Sequence, residues 1–214
     1  MPTIKVTYSE MRSQHLAEAL ATKLNLPLVD HLQMHQDRGQ ALPAGYDHDY
    51  YLDYAANGLC LMPSERADHG PIRCDFTSGA TAHRRKHGGG NGQAIAKAVG
   101  VSGKFSPKIL DLTAGMGGDS FVLASLGCHM QLLERNPIVH SLLYDGLQRA
   151  AVAGKEDSEL GSIIDRIDLF EGDALGYLQE RRQEPCADVI YLDPMFPERK
   201  KAPRLKKRCR RFMA

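Results

Sequence analysis

Residues 110–127, LDLTAGMGGDSFVLASLG, decide the fold. A short apolar run, KILDL (108–112), reads as a buried strand, and it breaks into a loop carrying Gly115, Gly117 and Gly118. The apolar pattern of DSFVLASL then predicts a helix, closed by Gly127. Glycines in such a strand-to-helix turn let a ligand approach the backbone closely, and the helix start offers unpaired N–H groups.

The same alternation continues downstream. HMQLLE (129–134) reads as a second strand, and Asn136-Pro137 supplies an N-cap and a first-turn proline for a helix with Val139, Leu142, Leu143 and Leu147 at helical spacing. RIDLFEG (166–172) is the third strand and ADVIYLD (187–193) the fourth. Strands alternating with helices predict a parallel sheet with helices on its faces, which binds ligands at the C-terminal strand ends.

Each of the four strand ends carries a carboxylate: Asp111 before Gly115, Gly117, Gly118 and Asp119, then Glu134, Asp173 and Asp193. Glu134 follows Gly115 by 19 residues, where an acid can accept both hydroxyls of a ribose. Asp173 is placed to meet an adenine amino group. Any one of these acids could be a helix cap or a strand-end charge; their order and spacing together make a nucleotide site. A dinucleotide fingerprint would need glycine at position 120, which is Ser120.

The fourth strand ends in DPMFP (193–197). Asp-Pro-x-aromatic suits methyl transfer to an exocyclic amino group, whose lone pair is delocalised into the base and needs orienting. Asp193 and the Pro194 segment can accept its N–H bonds, and Phe196 can stack on the base. Asp193 is also a candidate for taking the proton. DNA adenine, DNA cytosine and protein amides share this chemistry, so the motif alone leaves the acceptor open.

The segments SGATAHRRKHGGGNGQAIAKAVG (78–100), LDLTAGMGGDSFVLASLG (110–127), LLERNP (132–137) and YLDPMFPERK (191–200) resemble the bacterial 16S ribosomal RNA guanine-N2 methyltransferases of the RsmJ (YhiQ-type) family. The resemblance runs from about residue 75 to 201. It implies a Rossmann-like α/β sheet that uses S-adenosyl-L-methionine and releases S-adenosyl-L-homocysteine. It also implies methylation of N2 of one guanine in 16S rRNA, free or within the small ribosomal subunit. The cofactor contacts it carries over are Gly118, Asp119, Glu134, Arg135, Asp173, Ala174 and Asp193. Gly118 and the Asp173-Ala174 pair depart from the arginine and the serine pair common at these places, so backbone contacts are expected there. His83, Arg84, Arg85 and Lys86 form the expected RNA-binding patch, against the plainer reading of a solvated charge run.

Upstream, TIKVT (3–7) predicts a strand, and Ser9 caps a helix presenting Met11, Leu16, Leu20 and Leu24. Asn57-Gly58 predicts a hairpin turn between two short strands, and residues 92–99 a helix stopped by Gly100. The expected organisation is a small N-terminal α/β domain (1–75), a methyltransferase domain (76–201) and a basic tail (202–214). Four strands are three short of the seven in such a sheet. The tail APRLKKRCRRFMA does not supply them, which reads as a truncation or frameshift after about residue 201. An inactive RNA-binding relict is the corresponding non-enzyme alternative.

Bulk composition sets the outer bounds. A net charge of +1 confines any nucleic-acid contact to a local patch. Five dispersed cysteines without a CxxC pair argue against a disulfide framework and for a reducing cytoplasm. The i,i+4 pairs His31/His35 and His83/His87 lack a third ligand, so no metal is expected. No apolar run is long enough for a membrane span.

Overall fold

The computed structural model describes residues 4–30, 50–63, 70–78, 94–181 and 187–193. Two sheets share one hydrophobic core that runs from Val6 and Leu20 through Leu59 and Phe121 to Ile163.

The first sheet holds β1 (Ile4–Tyr8), β2 (Tyr50–Ala55) and β3 (Gly58–Pro63) in that order, β1 parallel and β3 antiparallel to β2. Helix α1 (Gln14–Leu24) covers it, after a 3-10 turn at Met11–Ser13. Ser9 is not the helix cap: its hydroxyl donates to Asp53 Oδ2 at 2.6 Å, and the chain makes the 3-10 turn before α1 begins. The buried face of α1 is Ala17, Leu20 and Ala21, whereas Met11 and Leu16 are exposed. α1 starts four residues later than a Ser9 cap implies, which leaves Met11 in the 3-10 turn, and small alanines let the helix lie close to the strands. The hairpin turn falls on Ala56-Asn57, one residue early, with Gly58 opening β3 at φ +95°.

The second sheet is wholly parallel. It contains β4 (Lys108–Asp111), β5 (His129–Glu134), β6 (Ile167–Glu171) and β7 (Val189–Tyr191), in the order β6-β5-β4-β7. Before it comes α2 (Ala94–Ala98), stopped by Gly100 at φ +80° as expected. The crossovers are α3 (Gly118–Ser125), then α4 (Pro137–Ala153) with α5 (Ser158–Ile164), then α6 (Ala174–Glu180). The sequence reading missed α5 and α6, each only seven residues long. At that length there is little periodicity to detect; each is marked instead by its capping aspartate, Asp157 or Asp173.

The strand order reverses beside β4, whose neighbours are β5 on one side and β7 on the other. In open parallel sheets a crevice forms outside the C-terminal ends at such a reversal. Helix α4 joins the two sheets. Its Asp145 Oδ2 accepts from the Leu59 N–H of β3 at 3.0 Å and from Arg149 Nε at 2.8 Å, while Arg149 also donates to the Cys74 carbonyl. Gly146 allows this approach, since a Cβ there would stand 2.5 Å from Cys74 Cβ.

Candidate functional site

The glycine loop is shaped by hydrogen bonds that begin on a buried carboxylate. Asp111 is 2% exposed at the end of β4. Its Oδ1 accepts the Thr113 N–H at 2.9 Å and its Oδ2 the Ser120 hydroxyl at 2.5 Å. Burial pushes its pKa up, against the opposing pull of Ser120 and Thr113. Expected as a cofactor contact, Asp111 turns its carboxylate inward instead, bracing the loop at both ends. The carboxylate thus holds the loop's own Thr113 and Ser120.

Gly115 and Gly117 take φ of +54° and +72°, which glycine adopts without the steric cost a side chain would bring. At Gly117 a Cβ would lie 2.7 Å from Leu143 Cδ1, so the loop also packs tightly on α4. On its other side the loop is open: a Cβ at Gly118 would meet nothing within 4 Å. Asp119 follows in the first turn of α3, where the helix dipole favours an acid.

Glu134 connects the second strand end to this loop. Its Oε2 accepts the Gly115 N–H at 2.9 Å and its Oε1 the Asn136 N–H at 2.7 Å. Each oxygen keeps a further lone pair, and the side chain is only partly buried, so a ribose diol can still be accepted there. Asn136 caps α4 through Ile138 N and Val139 N, as its sequence predicts, while Arg135 is exposed beside it. At the third strand end, Asp173 Oδ2 caps α6 by accepting from Leu175 N at 3.0 Å and Gly176 N at 3.2 Å. Its second oxygen and the adjoining Ala174 backbone lie at the same edge as Glu134, whose carbonyl accepts the Gly172 N–H at 3.2 Å.

The fourth strand end is drawn to the first. The Asp193 N–H donates to Thr113 Oγ1 at 2.8 Å, and the Tyr191 hydroxyl donates to Asp119 Oδ2 at 2.9 Å. Burial and the neighbouring Asp119 hold the Tyr191 phenol protonated, well above its ordinary range. Asp111, Gly115, Gly117, Gly118, Asp119, Glu134, Arg135, Asp173, Ala174 and Asp193 thus all lie along the C-terminal edge of one sheet. Pro194, Phe196 and the patch His83, Arg84, Arg85 and Lys86 lie outside the described residues. Sequence reasoning missed Thr113, Ser120 and Tyr191. The faint signal was the i,i+2 spacing of Asp111 with Thr113 and of Tyr191 with Asp193, which on an extended strand puts both members on one face.

A glycine loop, an acid at the next strand end and a carboxylate at the reversal are the parts of an adenosyl-cofactor site. The model for putative SAM-dependent methyltransferases matches residues 35–214. The chain belongs to this family. Its cofactor is accordingly S-adenosylmethionine, and its sheet is the Rossmann-like α/β sheet expected from the sequence.

Among similar proteins is the ribosomal RNA small subunit methyltransferase J of Cellvibrio japonicus (strain Ueda107). It is 47% identical over 197 residues, covering 92% of this chain and 71% of that protein. The protein of the same name from Ectopseudomonas mendocina (strain ymp) is 47% identical over 191 residues, covering 86% and 72%. A crystal structure of a SAM-dependent methyltransferase from Neisseria gonorrhoeae superposes with a TM-score of 0.63 at 30% identity, covering 90% of this chain and 70% of that one. Among the described residues no group of side chains could hold a metal ion, and no helix is long and apolar enough to cross a membrane.

Proposed function

We propose that this methyltransferase acts in the cytoplasm on small-subunit ribosomal RNA, adding one methyl to the exocyclic N2 of a guanine in 16S rRNA. The observation that carries the reading is the attachment of Asp193, at the head of Asp-Pro-Met-Phe, to the glycine loop through Thr113. It brings an amino-group acceptor to the edge where the cofactor loop lies. The names of the similar curated proteins support the RNA substrate.

In this reading the Gly115–Asp119 loop receives the cofactor's amino-acid end, Glu134 its ribose, and Asp173 with Ala174 its adenine. Arg135 borders the ribose. When bound, the sulfonium supplies an electrophilic methyl. Asp193 accepts a hydrogen bond from the guanine amino group, turns the nitrogen toward that methyl and receives the proton lost on transfer. Pro194 and Phe196 shape and stack the base, and His83, Arg84, Arg85 and Lys86 hold phosphates. The work is mostly positioning, because an in-line displacement has little other chemistry for a protein to assist. The N-terminal sheet (1–75) acts as a platform for the methyltransferase unit (76–201); their shared core supports the two folding together.

The experiment is transfer of labelled methyl to ribosomal RNA from cells lacking the modification, beside DNA and protein acceptors. Label in RNA alone, lost in Asp193→Ala with the fold retained by circular dichroism, is the expected result. Label in DNA or protein, or full activity of Asp193→Ala, contradicts the reading.

A further inference from the structure

Resting on that reading, we propose that Thr113 is a positioning residue for methyl transfer: its hydroxyl holds the Asp193 backbone against the glycine loop, setting the distance between target amino group and cofactor. The two strand ends are separated by 80 residues in the chain and meet through two side-chain bonds. Asp193 N–H to Thr113 Oγ1 is 2.8 Å, and Tyr191 Oη to Asp119 Oδ2 is 2.9 Å. Thr113 is itself held, since its N–H donates to the buried Asp111 at 2.9 Å and its hydroxyl lies 3.5 Å from the same oxygen. Asp111 therefore braces Thr113, and Thr113 braces Asp193, in one line from the sheet interior to the exposed strand end.

Strand pairing alone does not supply this restraint. The β4–β7 ladder ends at Asp111↔Tyr191, with one more backbone bond from Leu112 N to the Tyr191 carbonyl. Beyond that point Leu192 and Asp193 leave the sheet and are exposed. The Thr113 hydroxyl is the acceptor that keeps Asp193 from fraying away from the loop, and Tyr191 anchors the end of β7 to α3. Threonine suits the task, because branching at Cβ restricts the rotamer that carries the hydroxyl.

The test compares Thr113→Val, which keeps the shape and removes the acceptor, with Thr113→Ser, which keeps the acceptor. Thr22→Val, on the exposed face of α1, is the control. In Thr113→Val, kcat should fall about tenfold to a hundredfold while the dissociation constant for S-adenosylmethionine stays within about twofold. Thr113→Ser should recover most of kcat, and Tyr191→Phe should lower it less than Thr113→Val does. Amide hydrogen exchange at Asp193 should accelerate in Thr113→Val and not in Thr113→Ser. Unchanged kcat in Thr113→Val, equal losses in the valine and serine variants, or a cofactor-affinity loss that matches the kcat loss overturns the proposal. A wild-type chain that transfers no methyl overturns the functional reading instead, and the exchange measurement still decides whether Thr113 holds Asp193.

Discussion

The two inner strand ends and the two outer ones are built differently. β4 and β5 lie at the centre of the sheet: Ile109, Leu110, Met130, Leu132 and Leu133 are essentially inaccessible, and Asp111 is enclosed with both oxygens engaged. β6 and β7 are half-open. Ile190 and Leu192 are more than half exposed, and both Asp173 and Asp193 stand at the surface. The inner pair fixes a loop before any ligand arrives, with Glu134 alone of its acids half-open, and the outer pair presents exposed acids. Preorganised inner bonds need no rearrangement during the reaction, which is the usual basis of electrostatic and positional catalysis.

That contrast can be broken most severely at its buried end. Asp111→Ala leaves the Ser120 hydroxyl and Thr113 N–H without their acceptor and should cost about 2–4 kcal/mol in a urea titration. Cofactor binding should disappear with it. An Asp173→Ala variant, losing only an exposed cap, should cost about 1 kcal/mol by the same titration. Equal losses at the two acids would erase the distinction between inner and outer ends.

Gly117→Ala comes next. It places a side chain at φ +72° and 2.7 Å from Leu143, so a loss of about 2–3 kcal/mol is expected from strain and overpacking together. Weaker S-adenosylmethionine binding should accompany it in calorimetry. Gly118→Ala, in open space, should leave stability nearly unchanged.

The contact between the two sheets gives a smaller effect. Arg149→Met removes the donor to Asp145 and to the Cys74 carbonyl while keeping the aliphatic stem, and about 1–2 kcal/mol should be lost by urea titration. An unchanged midpoint would mean that the apolar contacts and the Leu59–Asp145 bond hold the N-terminal sheet without Arg149.

The smallest effect concerns pH. Burial, then the Lys23 cation, lower the pKa of His140, against Glu171 and Glu134. A histidine depressed in the folded state favours the neutral form, so its contribution is complete above the ordinary value of 6.5 and is lost as pH falls below it. Melting temperature should therefore drop on acidification from neutral pH, with a shallower drop in His140→Gln. An equal slope in the variant would assign the acid sensitivity elsewhere.

How far the sequence reveals all this depends on the range of the interaction. The β4–α3–β5–α4 run was legible because its signals are local: Gly115 to Gly118, the Gly127 stop, and the Asn136-Pro137 cap all act within a few residues. The hairpin near Gly58 was legible to within one position for the same reason. Short α5 and α6 were not, since their seven residues carry too little periodicity. Nor was the inward orientation of Asp111, which depends on Ser120, in the first turn of α3, meeting it across the glycine loop. The links of Thr113 to Asp193 and Asp119 to Tyr191 span 80 and 72 residues. They exist only because β7 returns to lie beside β4, an arrangement no local pattern encodes.

The measurement that bears most directly on the account is nucleoside mapping after methyl transfer. Small-subunit RNA from cells lacking the modification is incubated with the chain and labelled S-adenosylmethionine, digested, and separated by mass spectrometry. One new product, N2-methylguanosine, is expected from a single 16S position, absent when Asp193→Ala is used. Label on adenine or cytosine, or no transfer by a chain that binds the cofactor, would contradict it.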